Sequence, residues 1–221
     1  MLSKLPAWVG LGAFLLALAA GAMNVFVLES VVGQAVTHHS GSSSSMMLAL
    51  SRGEYGRSVH FGLLIIAFVS GSVLSGFIIR DSHLRLGRRY GLSLLLESAT
   101  VLGAWAAFDA NPYAAQLMLS AASGLQNALA TTYSGAIVRT THLTGVFTDI
   151  GILLGNRLAG IPMPERKLKL LSDILAGFLA GGLASGLLYP LVGNAVLALP
   201  AFICGGIGTV YFVYRRFFLR A

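Results

Sequence analysis

Two short polar motifs carry the residues of this chain that can do chemistry. The second motif runs from Arg139 to Gly145 and reads Arg-Thr-Thr-His-Leu-Thr-Gly, with Asp149 four residues beyond it. The first motif, Thr37 to Gly41, reads Thr-His-His-Ser-Gly and repeats the order Thr, His, any residue, hydroxyl, Gly. Histidine titrates near neutral pH, and helix starts bind anions and polar groups through hydroxyl and backbone N–H groups. The motifs therefore predict a binding site for a small polar or anionic solute, and proton coupling is an open alternative.

An asparagine precedes each motif at a matching distance. Gly21 to Asn24 ends thirteen residues before Thr37, and Gly124 to Asn127 ends fourteen residues before Thr141. This match extends the similarity of the two halves and predicts an internal repeat. The two asparagines either line a pore or cross-link neighbouring helices.

The candidate solute-binding or ion-binding residues come from both motifs and their flanks. They are Asn24, Thr37, His38, Ser40, Gly41, Asn127, Arg139, Thr141, His142, Thr144, Gly145 and Asp149. Ser40 and Thr144 are expected to be the N-cap residues of the short apolar segments that follow. Gly41 and Gly145 would let the backbone approach a ligand.

The ionisable residues of the motifs leave structural alternatives open. A buried carboxylate in lipid is costly and usually functional, so Asp149 is expected to act in the site; the structural alternative is an ion pair with Arg139. His38 and His142 either act on a solute or proton, or bond headgroups and carbonyls at the interface. Two histidines without a carboxylate at ligand spacing predict no metal site.

The composition is that of a membrane protein. Of 221 residues, 56% are hydrophobic and 10% are charged, and the mean hydropathy is +0.78. Soluble domains carry roughly 25% charged residues, so lipid must solvate most of this chain. The net charge of +7 comes from basic residues that flank apolar segments, which favours a topological role over a nucleic-acid partner. The single cysteine, Cys204, excludes an intramolecular disulfide.

Six long apolar segments and two short ones follow from the hydropathy pattern. The long segments are 7–28, 61–79, 92–108, 113–136, 170–189 and 193–214, and the short segments, which follow the motifs, are 41–50 and 145–155. A membrane helix takes about 20 residues. We predict an all-α polytopic membrane protein with about six transmembrane helices and two half-length re-entrant helices.

Two side chains within the long segments carry predictions of their own. Glu97, in the third long segment, can pair with Arg88 or Arg89 near its start. Pro200 is expected to kink the last helix, because proline removes a backbone donor.

The repeat unit contains three full crossings, and this number decides how the halves are related. The first unit covers 1–110 and the second covers 111–221. A tandem copy of a three-crossing unit enters the membrane from the opposite side, which predicts a 3+3 inverted repeat. If the short segments span fully, each unit has four crossings and the repeats are parallel. Basic residues collect after the second and fourth long segments and in the tail, which predicts that both termini are cytoplasmic.

The chain resembles the YoaK-like family of bacterial inner-membrane proteins, a domain of unknown function. The similarity lies in Gly21 to Asn24, in Ala35 to Gly41, in Gly124 to Asn127, and above all in Arg139 to Gly151. Many relatives have Asp at the position of Asn24 and Thr-Gly-Asn in place of His-His-Ser-Gly. The resemblance implies a small multi-pass protein of the bacterial inner membrane and supplies no substrate.

These observations favour a small-solute secondary transporter or channel-like permease whose polar site lies near the midplane. The alternative is a non-transporting membrane scaffold or assembly partner, in which the motifs only cross-link helices. No serine elbow, phosphate loop, paired-carboxylate box or metalloprotease signature is present, so we predict neither an enzyme nor a cofactor. The expected partners are the lipid bilayer and a small solute, and a homo-oligomer is compatible with this interpretation.

Overall fold

The computed structural model describes residues 9–30, 33–80, 88–134 and 138–218. In these ranges the regular structure is entirely helical. The helices are α1 Val9–Glu29, α2 His39–Ser51, α3 Tyr55–Ile79, α4 Arg88–Phe108, α5 Pro112–Ser134, α6 Leu143–Leu158, α7 Glu165–Val192, the 3-10 helix Gly193–Leu197, and α8 Ala198–Phe218. The two short helices, α2 and α6, are the half-helices. The loop 81–87, on which part of the predicted topology depends, lies outside the described residues.

Four stretches of the described chain are long and apolar enough to cross a membrane. They are Val9–Glu29, Tyr55–Ile79, Arg89–Phe108 and Glu165–Val213. The last stretch holds 49 residues because it joins α7 to α8 through the 3-10 helix. The fourth predicted span forms as α5, but it is not among the four stretches. Its sequence contains Gln116, Ser120, Ser123, Gln126 and Asn127, which lower its hydropathy.

The long helices form three main pairs, α1 with α7, α3 with α5, and α4 with α8, and α4 also packs against α5. Glycine brings the backbones of the first two pairs together. A Cβ atom on Gly21 of α1 would collide with the carbonyl of Phe178 in α7, and one on Gly124 of α5 would collide with the carbonyl of Phe68 in α3. Small residues at such crossings let membrane helices pack closely without a hydrophobic driving force.

The pair α4 and α8 buries a carboxyl group. Glu97 of α4 is 0% exposed and accepts a hydrogen bond from Cys204 Sγ of α8 at 3.2 Å. The expected pairing with Arg89 is wrong, because Arg89 precedes Glu97 by eight residues, which is about 12 Å of helix rise. The side chain of Arg88 lies outside the described part of the chain.

The half-helices begin two residues earlier than predicted, and α6 ends three residues later. At about 1.5 Å of rise per residue, thirteen residues in α2 and sixteen in α6 fall short of a hydrocarbon core about 30 Å thick. The predicted kink at Pro200 is also wrong. Pro200 is the third residue of α8, where the first turn has no intrahelical bond to lose.

Candidate functional site

The half-helices start at the two histidines of the motifs. His38 is the N-cap of α2, with φ −119° and ψ 74°, and His142 is the N-cap of α6, with φ −93° and ψ 61°. The prediction that Ser40 and Thr144 are the N-caps is therefore wrong, since both lie in the first turn. Neither histidine side chain forms a capping hydrogen bond. The histidine side chains thus leave the first two N–H groups of each half-helix without a cap.

An amide from a long helix holds the non-helical segment in front of each half-helix. Thr37 Oγ1 donates to Asn24 Oδ1 of α1 at 2.8 Å. In the second half, Gln126 Nε2 of α5 donates to Thr140 Oγ1 at 3.1 Å and to the Leu16 carbonyl of α1 at 2.6 Å. These bonds satisfy polar groups that lipid could not.

Gln126 is a site residue that the sequence comparison missed. The match of Gly21 to Asn24 with Gly124 to Asn127 assigns the role of Asn24 to Asn127. In the structure Gln126, one residue earlier and one methylene longer, makes the equivalent bond. Asn127 has a buried Oδ1 for which no described residue supplies a hydrogen bond.

His38 is oriented by its neighbours. Its Nδ1 lies 2.7 Å from Thr37 Oγ1. Because that hydroxyl donates its proton to Asn24, Nδ1 must be the protonated nitrogen that donates to Thr37. The other nitrogen, Nε2, is therefore the one that can take up or release a proton. The ring stands edge-on to Phe178 of α7, with 5.8 Å between ring centroids.

The next residue, His39, contacts the other close helix pair. Its ring centroid lies 4.5 Å from that of Phe68 in α3, and its Nε2 lies 3.4 Å from Ser120 Oγ of α5. His38 thus contacts Phe178, whose carbonyl lies against Gly21, and His39 contacts Phe68, whose carbonyl lies against Gly124. The two histidines therefore lie at the two close helix crossings. His39 was not among the predicted site residues, because the repeat places Leu143 opposite it.

The two N-cap histidines interact electrostatically across the repeat. His38 lies outside the four candidate membrane stretches. Burial lowers the pKa of His38, and the charge of His142 lowers it further. The start of α2 therefore lies near enough to the start of α6 for His38 to sense the charge of His142.

A cleft of about 390 Å³ opens beside the start of α6. Its lining residues come from the second motif, from the first turns of α6 and from α7: Arg139, His142, Thr144, Gly145, Val146, Thr148, Asp149, Leu171 and Ile174. Arg139, His142, Thr144 and Thr148 are exposed in it. Five of the predicted site residues are brought together here, and Thr148 joins them.

The partner of Asp149 is Lys167, not Arg139. Lys167 Nζ of α7 lies 3.1 Å from Asp149 Oδ1, and the Asp149 side chain is 43% exposed. The predicted pair is wrong because the chain turns back after α6 and places Lys167, in the first turn of α7, beside Asp149. Among the described carboxylates, none forms an ion pair with Arg139. Arg139 therefore presents an uncompensated positive charge.

The motif glycines, equivalent in sequence, differ in their surroundings. A Cβ atom on Gly145 would lie 2.5 Å from Nδ1 and 2.9 Å from Cε1 of His142, because that ring folds back over the first turn of α6. A Cβ atom on Gly41 would meet nothing within 4 Å. Gly145 therefore sets the position of the His142 ring, whereas Gly41 has no such role.

The remaining predicted residues lie apart from the cleft. Thr37, Thr141 and Asn24 are buried, whereas Ser40 and Gly41 are exposed on the first turn of α2. The first motif is thus buried at Thr37 and exposed at its glycine end, whereas most of the second motif lines an open cleft.

The helices and the apolar composition define a polytopic helical membrane protein. Residues 12–210 match the family model DUF1275, which is described as a protein of unknown function. The chain belongs to this family, which confirms the resemblance to the YoaK-like proteins. No curated protein matches the chain, and no solved structure does.

We predict that Gly145→Ala displaces the His142 ring without unfolding the protein. The new methyl group would lie 2.5 Å from Nδ1 of the present ring, which is too close for the ring to stay in place. Moving the ring off its rotamer costs about 0.5–1.5 kcal/mol, which the roughly 1 kcal/mol better helix propensity of alanine largely offsets.

The measurement is the ¹⁵N spectrum of histidine-labelled protein together with its melting temperature. Gly41→Ala is the matched control and should leave all histidine signals unchanged. If the His142 signals of Gly145→Ala were also unchanged, the packing of that ring over Gly145 would be wrong.

Proposed function

We propose that this protein is a small-solute carrier of the bacterial inner membrane that binds an anion between the starts of its half-helices. The observation that carries the proposal is the cleft beside α6, which combines an exposed arginine, a histidine and an uncapped helix start. Its volume lies in the range of small-molecule sites, roughly 300–1,000 Å³.

The charge of the cleft favours an anion. The lining contains one cation, Arg139, and one carboxylate, Asp149. Lys167, which is not a lining residue, pairs with Asp149 and offsets its charge. The start of α6 adds about half a positive charge from the helix dipole. Half-helix starts aimed at anionic groups are a recurrent feature of secondary transporters.

The pairing of the helices supports an inverted repeat. In the two halves, α1 corresponds to α5, and α3 corresponds to α7. The packing of α1 against α7 therefore corresponds to the packing of α5 against α3, and the structure contains both pairs. The glycine contacts follow the same exchange: Gly21 meets Phe178, and Gly124 meets Phe68. The half-helices are too short to span, which removes the reason for a parallel arrangement.

In this topology, the second motif faces the cytoplasm and the first faces the outside. Lys167 and Arg157 border the α6 side, as the positive-inside rule requires of a cytoplasmic surface, and both termini are then cytoplasmic. The site is open beside α6 and closed where the histidines of the first motif pack on Phe178 and Phe68. A site closed at one end and open at the other suits a carrier better than a channel, and counterflow in vesicles distinguishes the two.

The orientation predicts sidedness of chemical labelling. In a Cys204→Ala chain, Thr148→Cys in the cleft should react with an impermeant maleimide from the cytoplasmic face only. Asn111→Cys, in the hairpin between α4 and α5, is the matched position and should react from the outside only. Labelling of both from one face would refute the inverted arrangement.

Anion binding predicts opposite effects for two cleft variants. Arg139→Gln removes a charge-assisted contact, worth about 1.5–3 kcal/mol, and should weaken anion binding at least about tenfold. Asp149→Asn releases Lys167 and should strengthen it. Because a surface pair contributes about 0–1 kcal/mol, Asp149→Asn should stay folded.

The measurement is uptake and thermal stabilisation with phosphate, sulfate and small carboxylates, on protein reconstituted in vesicles. Arg157→Gln, an exposed arginine of α6 that does not line the cleft, is the control. If the protein is a scaffold that does not transport, none of these anions should be taken up, and the Arg139→Gln and Arg157→Gln variants should behave alike. That result would refute the proposal.

A further inference from the structure

The buried carboxyl group between α4 and α8 lies outside the cleft and takes no part in the binding proposed above. Glu97 is 0% exposed. Its Oε1 accepts the Cys204 thiol, and its Oε2 has no hydrogen-bond partner in the described part of the chain. One turn earlier on the same face, the buried hydroxyl of Ser93 is also without a partner there.

Among the side chains that the structure describes, none that faces Glu97 carries a charge to balance a carboxylate. From α8 the facing titratable group is Cys204, and a thiol is a weak donor. The 3-10 helix carries no titratable side chain, and α3 carries Arg57 and His60 only within its first six residues. Neither of these forms an ion pair with Glu97.

Tyrosines are the other titratable groups of this region. Tyr90 of α4, Tyr133 of α5 and Tyr211 of α8 line a cavity of about 50 Å³. Leu94 and Ile207 line it too, and these residues lie three positions from Glu97 and Cys204 along their helices. A space that can hold a water therefore begins about one turn from the carboxyl group.

The packing of α4 against α8 excludes water from Glu97. A Cβ atom on Gly205 would lie 2.8 Å from Ser98 Oγ, and one on Gly91 would lie 2.9 Å from the Gly208 carbonyl oxygen. The helices thus approach closely on both sides of the carboxyl group. An ionised carboxylate without a cation or water is far more costly in such a place than a neutral acid.

We propose that Glu97 is a proton-binding site, protonated while α4 and α8 are packed together and deprotonated to water when they separate. The proton leaves Oε2 for a water molecule that enters from the tyrosine-lined cavity, and the carboxylate that remains is solvated by the same water. The proton-binding site does not depend on the protein being a transporter, whereas its use in proton coupling rests on the proposed function.

The first test is infrared spectroscopy of the full-length protein in lipid across a pH series. The wild type should show the carbonyl band of a protonated carboxylic acid, which is lost as the pH rises. The band should be absent from Glu97→Gln and retained in Asp149→Asn. Cys204→Ser replaces the thiol that donates to Glu97 by a hydroxyl, which is a stronger donor, and should therefore shift the band. This shift assigns the band to Glu97 in a protein that keeps the acid. A wild type without the band, or a band that neither Glu97→Gln nor Cys204→Ser alters, would overturn the proposal.

The second test measures the separation of the helices by maleimide labelling of Cys204. The Glu97→Gln variant cannot ionise at this position and serves as the reference. At low pH, wild type and Glu97→Gln should be labelled at nearly the same rate. As the pH rises and the acid band is lost, the wild type should be labelled faster than Glu97→Gln. A ratio of the two rates that stays constant would show that ionisation and separation are not coupled. Neither test uses a transported solute, so a failed uptake screen and a failed proton site are separate results.

Discussion

The structure depends on satisfying non-helical backbone inside an apolar protein. Each motif interrupts the helical pattern, and the peptide groups freed by the interruption cannot turn to lipid for hydrogen bonds. Close helix crossings at Gly21 and Gly124 bring side chains of α1 and α5 within reach of these segments. Asn24 and Gln126 then hold the hydroxyl groups of Thr37 and Thr140. The close crossings thus place the side chains that hold the segment in front of each half-helix.

The two halves use this arrangement differently. In the first half, consecutive histidines pack on Phe178 and Phe68 and close the region. In the second half, His142 folds over Gly145 at the edge of an open cleft, and Lys167 holds Asp149 at its rim. Similar sequence motifs therefore pack against aromatic side chains in one half and line a cleft in the other.

Much of this arrangement could be predicted from the sequence. Hydropathy and the repeated motif indicated a helical membrane protein with two short helices after the polar segments, because apolar length is a one-dimensional property. The partners were less accessible. The spacing of Arg139 and Asp149 suggested a pair, but the chain returns through a loop that brings Lys167 closer. Likewise, the sequence match places Asn127 opposite Asn24, but Gln126 binds the motif in the second half. This difference depends on side-chain length and helix rotation, which a sequence pattern does not contain.

The central claim is that both motifs contribute to one polar site, and the pKa of His38 tests it most directly. If the starts of α2 and α6 share a site, the charge of His142 opposes protonation of His38. The account predicts that His142→Ala raises the pKa of His38, measured by ¹⁵N titration of histidine-labelled protein in lipid, and that His60→Ala leaves it unchanged. A pKa of His38 that does not respond to His142→Ala would contradict the account.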